Sequence, residues 1–377
     1  MSGFSVTRFL AMLHKEWIQM RRDKGTVGMT IMLPLVQLFL FGYAINTNPR
    51  HLPTAILSGG HSQYERDIVT ALANTSYFDL REYNSEYEVD RALARGDIMF
   101  ALHIPPNFER AVDRGDSPQI LMEADATDPT AIAAAASALQ VIVPTALTRD
   151  LPPNLHQSVV SAAPAFTVAL HSRYNPEQIT AFNIVPGLIG TILSFSTMIA
   201  TTLAITRERE AGTMENLLAM PIKPLEVMLG KIVPYIALGY IQVGLILVAA
   251  VFVFHVPVLG SIPLLLLCLG LFVGCNLAMG FTFSSLARTQ MAAQQMSTFA
   301  LLPSMLLSGF LFPFAGMPVW AQYVGAALPL THIIRICRGT LLKGNGLADI
   351  WPDIWPMALF AMVVGLIAVR SYRQTLD

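Results

Sequence analysis

The chain has 377 residues, 54% of them apolar and 13% charged, with a formal net charge of −1 and a mean hydropathy of +0.53. Soluble domains carry about 25% charged residues, so a purely soluble fold is excluded, and no basic footprint for nucleic acid is present. The charge is unevenly spread: residues 46–177 hold 9 basic and 16 acidic residues, whereas from Ile232 to Ile334 the only formal charge is Arg288.

In residues 1–25, Val6, Phe9, Leu10, Leu13, Trp17 and Met20 fall on one helical face and Arg8, Lys15, Gln19 and Arg22 on the others. That pattern predicts an amphipathic helix lying at a membrane surface. Residues 26–45 are uncharged and follow Arg21, Arg22 and Lys24. A helix needs about 20 apolar residues to cross the hydrocarbon layer, so this is the first predicted span. It is long for a signal peptide and no small-residue cleavage site follows it.

Residues 46–177 are the charged part and read as an α/β domain. Short strands are expected at 55–57, 98–104 and 120–124, and helices at 63–73, 86–95 and 108–114. The compact domain is expected to cover 46–124, followed by an alanine-rich helix over 125–147. Asp125 and Asp128 precede that alanine run as helix-capping residues rather than as metal ligands.

A second span is predicted at 184–205. Between Lys231 and Arg288 lie 56 uncharged residues, enough for spans at 232–254 and 263–285 joined by a turn at 255–263. A fifth is predicted at 291–312 and a sixth at 351–369, the last flanked by Trp351, Trp355 and Tyr372 as interfacial aromatics. Residues 313–350 are broken by Pro313, Gly316, Pro318, Pro329 and Gly339, which suits an irregular or re-entrant segment. The predicted fold is thus an α-helical polytopic membrane protein of six transmembrane helices, with the α/β domain inserted between helices 1 and 2.

With both termini cytoplasmic, the short inner segments carry Arg8, Lys15, Arg21, Arg22, Lys24, Arg207, Arg209, Lys223, Lys231, Arg288, Arg370 and Arg373, and the outer ones only Arg335, Arg338 and Lys343. The excess of basic residues on one side predicts that orientation and places 46–177 outside the cytoplasm.

The chemistry of a self-contained enzyme is missing. There is no G-x-x-x-x-G-K-[ST], since Gly230-Lys231 runs into Ile232, and no H-E-x-x-H, C-x-x-C or G-x-S-x-G. Cys268, Cys275 and Cys337 have neither disulfide nor metal-ligand spacing and read as small packing residues. No catalytic residue and no metal site are expected. The spans are also expected to bury no carboxylate, which argues against an ion-coupled carrier. Energy must then reach the chain from a partner.

The segment 207–221, Arg-Glu-Arg-Glu-Ala-Gly-Thr-Met-Glu-Asn-Leu-Leu-Ala-Met-Pro, is the strongest local signal. Its simplest reading is a solvated turn with Thr213 as helix cap; a compact charged helix there also suits a soluble partner. The pattern R-E-x-E-x-G-T-x-E-x-L-L-x-x-P resembles the signature of type-2 ABC transporter permeases, in the subgroup of inner-membrane multidrug-type permeases. Lys15-Glu16, Arg22-Asp23, the domain after span one and Leu306-Leu307-Ser308-Gly309 are similar to that family too, so the likeness covers essentially the whole chain.

The resemblance implies a permease of a bacterial inner-membrane exporter for hydrophobic or amphipathic molecules. It also implies a second permease subunit, identical or paralogous, and two copies of a separate ATPase subunit that hold the ATP and magnesium. A periplasmic adaptor protein and membrane lipid complete the implied partners. Carried onto this sequence, the ATPase-coupling residues are Arg207, Glu208, Glu210, Gly212, Thr213 and Glu215. Gly270 and Gly274 form a G-x-x-x-G face suited to subunit packing. His332, Arg335 and Arg338 are candidate outer-leaflet substrate contacts, or basic groups at headgroup level. A membrane scaffold or sensor, and a channel or ion-coupled carrier, are the competing functions.

Overall fold

The computed structural model describes residues 50–60, 62–147, 164–177, 179–210, 224–287 and 289–374. The expected surface helix at 1–25, the first span at 26–45 and the loop residues Gly212, Thr213 and Glu215 lie outside the described residues.

The charged segment folds as a sheet flanked by helices. In chain order it contains β1 (Leu52–Ser58), α1 (Gln63–Asn74), β2 (Phe78–Glu82), α2 (Glu86–Arg95), β3 (Phe100–Ile104), α3 (Phe108–Asp113), β4 (Gln119–Asp125), α4 (Pro129–Ile142) and β5 (Thr167–Arg173). The strand order is β2-β1-β3-β4-β5. β1 runs parallel to both β2 and β3, β3 is antiparallel to β4, and β4 is parallel to β5.

Alternation along the strands sorts the side chains. Leu102, Ile120 and Met122 turn to one face and pack with Ile68 and Leu72 of α1, Phe108 of α3 and Ala135 of α4. Ala55 and Ala101 turn to the other and pack under Val89 and Leu93 of α2. The helix starts are written locally. Ser62 and Ser85 each accept a hydrogen bond from the backbone of a glutamate three residues on, Glu65 and Glu88, the S-x-x-E capping pattern. Gly96 closes α2 at φ 78°, a left-handed position where other residues are strained.

Two strands depart from the sequence reading. β2 carries Asp79, Arg81 and Glu82 and sits at the sheet edge, so its charges hide its pattern. β5 follows from the pairing of Gln119 through Asp125 with Thr167 through Arg173, a partnership of residues about fifty apart. The α/β unit therefore extends to Arg173 rather than stopping at Ala124. Asp125 closes β4, and the alanine-rich helix begins only at Pro129.

The apolar part contains α5 (Thr180–Glu210), α6 (Pro224–Phe252), α7 (Ile262–Leu286), α8 (Gln290–Leu307), α9 (Val319–Ala326), α10 (Pro329–Arg338) and α11 (Leu347–Gln374). A 3-10 turn at Phe314–Gly316 and a π turn at Gly339–Lys343 complete it. Among the described residues four helices are long and apolar enough to cross a membrane, at Thr180–Leu203, Tyr235–Phe252, Ile262–Leu286 and Leu347–Ala368. The expected fifth span corresponds to α8, which has 18 residues and is not among those four.

Close approach of α5 and α7 depends on Gly280. A Cβ there would lie 2.9 Å from the Met198 carbonyl oxygen and from Thr201 Cβ. Thr202 Oγ1, which donates to the Met198 carbonyl of its own helix at 2.7 Å, lies 3.3 Å from the Gly280 carbonyl and 3.2 Å from Ser297 Oγ of α8. Three helices thereby converge at one buried hydroxyl.

The expectation of carboxylate-free spans is corrected here. Asp353 falls inside the sixth span as bounded at 351–369, and it is held by His332 and Arg335. A buried charge persists in such a place only when paired.

Candidate functional site

The α/β unit meets the helices at a polar junction. Lys343, at the end of the π turn, donates from Nζ to Asp125 Oδ2 at 2.5 Å and to the Leu93 carbonyl at 2.9 Å. Its ammonium also lies 5.0 Å from the ring centroid of Tyr174. Asn345 Nδ2 donates to the Ala94 carbonyl at 2.8 Å, and Arg95 donates to Asp349 at 3.2 Å. Leu93 and Ala94 belong to the last turn of α2, where helix carbonyls run short of partners; the Leu93 carbonyl accepts from the C-cap Gly96 N–H at 3.2 Å as well as from Lys343. A cation and an amide donor from the apolar part therefore add to the glycine cap at the negative end of a helix from the α/β unit.

Asp125 is fully used. Its Oδ1 accepts from Thr127 N and Thr127 Oγ1 at 3.1 and 2.8 Å, which leaves Oδ2 for Lys343. Asp128 takes the capping role expected of both aspartates, accepting from Ala131 N at 3.4 Å. Burial pushes the Tyr174 phenol up to about 12, with the nearby Asp125 carboxylate acting in the same direction.

Beside this junction lies a cavity of about 380 Å³, bounded by the end of α2, the end of β4, the end of α8, α10 and the start of α11. His332, Arg335 and Arg338 all line it, so the fold brings the predicted trio together. His332 is buried; Nδ1 faces Asp353 Oδ1 at 2.7 Å and Nε2 faces the Ala326 carbonyl at 2.8 Å. Both ring nitrogens thus meet acceptors. Arg335 lies 3.6 Å from Asp353 and stacks over Phe314 at 4.4 Å. Arg338 donates from Nη1 to the Gly309 carbonyl at 3.2 Å, while its Nε has no hydrogen-bond partner among the described residues.

The other end of the helices holds the described part of the loop residues. α5 continues through the charged residues 207–210, and Arg207 and Glu210 are exposed at its end. Glu210 reaches the start of α8: Gln290 N donates to Oε1 at 2.7 Å and Gln290 Nε2 to Oε2 at 2.6 Å. Glu208 is in the same helical turn. A Cβ on Gly270 would lie 2.0 Å from Tyr240 Oη of α6, whereas one on Gly274 would meet nothing within 4 Å. The two glycines therefore have different surroundings, one against a neighbouring helix of the same chain and one open.

Sequence reasoning missed Asp125, Lys343, Asn345, Asp349, Asp353 and Gln290 as site residues. One signal was readable: a carboxylate such as Asp353 in an otherwise apolar helix is by default functional. The others take their roles from long-range contacts that no local spacing encodes.

The profile of the family described as ABC-2 family transporter protein matches residues 24–370. The chain is 30% identical over 369 residues to "Inner membrane transport permease YhhJ" of Escherichia coli (strain K12), covering 96% of each. It is 29% identical over 370 residues to "Probable multidrug ABC transporter permease YbhS" of the same organism, covering 97% of each. It is also similar to "ABC transporter G family member 20" of Dictyostelium discoideum, with 24% identity over 391 residues that span 99% of this chain and 52% of that one.

Proposed function

Since this chain belongs to the ABC-2 transporter family, we propose that it is the membrane subunit of an ABC exporter, driven by separate ATPase subunits that grip the segment 211–223. The carrying observation is the charged end of α5, where exposed Arg207 and Glu210 lead straight into that segment. A helix that runs past its apolar stretch in four charged residues delivers the following loop to water, where a soluble partner can hold it. The chain itself has no phosphate-binding loop, so hydrolysis belongs to the partner. In this reading six helices span a bacterial inner membrane, both termini are cytoplasmic, and two permease subunits enclose the path. Gly212, Thr213 and Glu215 make the coupling contacts.

The names of the relatives as multidrug and inner-membrane permeases support a hydrophobic or amphipathic substrate moved outward. The cavity with His332, Arg335 and Arg338 supports the same reading, because it sits at the opposite end of the helices from Arg207 and Glu210 and offers charge beside apolar wall. The test is reconstitution of the full chain with the ABC ATPase encoded beside it. ATP-dependent movement of a fluorescent lipophilic dye, lost in Gly212→Pro, is expected. Dye flux without the ATPase, or none with it, overturns the proposal.

A further inference from the structure

A second cavity lies in the α/β unit, and all its lining residues belong to that unit. The chain leaves β1 for α1 on one face of the sheet and leaves β2 for α2 on the other. The connections after these two parallel neighbours therefore part over the carboxyl ends of the strands. Crevices of that origin are where open α/β sheets take their ligands. This one has a volume of about 490 Å³, within the range of about 300–1,000 Å³ that small-molecule sites occupy.

Backbone contacts hold its walls. Gly59 N donates to the Ile104 carbonyl at 3.4 Å, which joins the connections after β1 and β3, and a Cβ on Gly59 would lie 3.0 Å from Pro106 Cβ. Tyr83 N donates to the Ile56 carbonyl at 3.0 Å and ties the end of β2 to β1. On the α2 face of the sheet Leu57, His103 and Leu121 stand side by side across three strands and form the floor. α2 packs over Ala55 and Ala101, whereas Leu121 stays 37% exposed. A mostly apolar floor thus continues past the helix that covers its first part.

Among the described residues the lining carries one carboxylate, Glu86, and no lysine or arginine. Glu86 opens α2 together with Glu88, two negative charges against a helix N-terminus worth about half a positive one. Ser85 caps that terminus by accepting from Glu88 N at 3.3 Å. The potential at the mouth is therefore negative, while Leu57, Leu121, Pro105 and Pro106 supply apolar wall. An anion would meet a carboxylate there with no counter-charge; a cation with an apolar body finds both its halves matched. We propose that this crevice binds an organic cation with an apolar body of one or two rings, its charge at Glu86 and its body against Leu57, Leu121 and the two prolines. The site is separate from the cavity of His332, Arg335 and Arg338. It depends neither on an ATPase nor on which side of the membrane the α/β unit faces.

The experiment uses the full chain in phosphatidylcholine nanodiscs, with Asn84→Cys as a reporter, an exposed position that lines the crevice. Cys268, Cys275 and Cys337 are buried, and the parent chain gives their background. The rate of labelling by N-ethylmaleimide is measured at constant ionic strength with rising benzyltrimethylammonium and, separately, phenylmethanesulfonate, ions of similar size and opposite charge. The ammonium is expected to slow labelling about tenfold at ten times its half-protecting concentration, and the sulfonate to leave the rate unchanged. Glu86→Gln and Leu121→Ser are each expected to raise the half-protecting concentration about threefold or more, with the rate in the absence of either ion unaltered. Equal protection by the two ions, protection by neither, or an unchanged half-protecting concentration in either variant overturns the proposal.

Discussion

Lys343 and Asp125 form a buried ion pair at 2.5 Å, with side chains 5% and 8% exposed, and this one contact joins the last strand residue of β4 to the π turn that precedes α11. The pair is separated by 218 residues. Its surroundings are fully committed: Thr127 holds the second oxygen of Asp125, and the Leu93 carbonyl accepts from the same ammonium. The α/β unit is therefore anchored on the helices through a helix end and a strand end together.

Removing one partner of this pair strands a charge away from water, at a cost of about 3–5 kcal/mol. Lys343→Met is expected to lower the thermal unfolding midpoint of the detergent-solubilised chain strongly. Arg81→Ala, which breaks the exposed Arg81–Asp79 pair, is expected to cost about 0.5 kcal/mol or less. Equal effects of the two changes would show that burial does not decide the outcome.

Gly280 and Gly274 should respond oppositely to the same substitution. Gly280→Ala puts a methyl 2.9 Å from the Met198 carbonyl, backbone that cannot step aside, so α5 and α7 must separate at about 1–3 kcal/mol. Gly274→Ala meets nothing within 4 Å and gains about 1 kcal/mol of helix propensity. Thermal unfolding of the two single variants decides the sign at each site. Loss of the assembled complex with Gly274→Leu, but not with Gly274→Ala, would place a second subunit on that open face.

Asp353 faces the His332 ring at 2.7 Å and the Arg335 guanidinium at 3.6 Å. Asp353→Ala leaves His332 and Arg335 without their shared carboxylate, and a destabilisation of about 3 kcal/mol is expected. His332→Asn with Asp353→Asn is expected to recover part of it, because two neutral amides can hydrogen-bond each other where the carboxylate faced the ring. A double-mutant cycle on unfolding midpoints measures that coupling.

Tyr174 gives a pH dependence outside the membrane-spanning helices. Its phenol is raised from 10.0 to about 12, first by burial and then by Asp125. Since the folded state holds the proton more tightly than the unfolded chain, this contribution to stability is fully present below about pH 10 and lost as the pH rises towards about 12. Tyr174→Phe is expected to flatten the fall in stability across that window. Difference absorbance of tyrosinate between the two chains follows the same group directly.

Much of the framework is legible residue by residue. The S-x-x-E pattern marks the starts of α1 and α2, Gly96 marks the end of α2, and Ile120, Met122 and Ala124 show one-sided alternation. The charge-poor stretch after Lys231 announces α6 and α7 through composition alone. β2 was not legible because an edge strand tolerates charges on its open side. β5 was not, because its identity as a strand depends on a partner that lies on the other side of α4. Arg335 and Arg338 were legible as basic groups near the outer leaflet, though the helix that carries them and their common cavity with Asp349 and Asp353 were not.

Local pattern is enough to mark where apolar helices can form, where the charged unit begins, and that the segment 207–221 is unlike its surroundings, because hydropathy, capping and turn chemistry act over a few residues. Which polar side chains meet is set by the fold. Lys343 finds Asp125, His332 finds Asp353 and Glu210 finds Gln290 across gaps that carry no periodicity. An isolated buried charge is too costly to keep, so the buried Lys343–Asp125 pair fixes where the α/β unit sits on the helices, while the exposed Glu210–Gln290 contact ties two helices together.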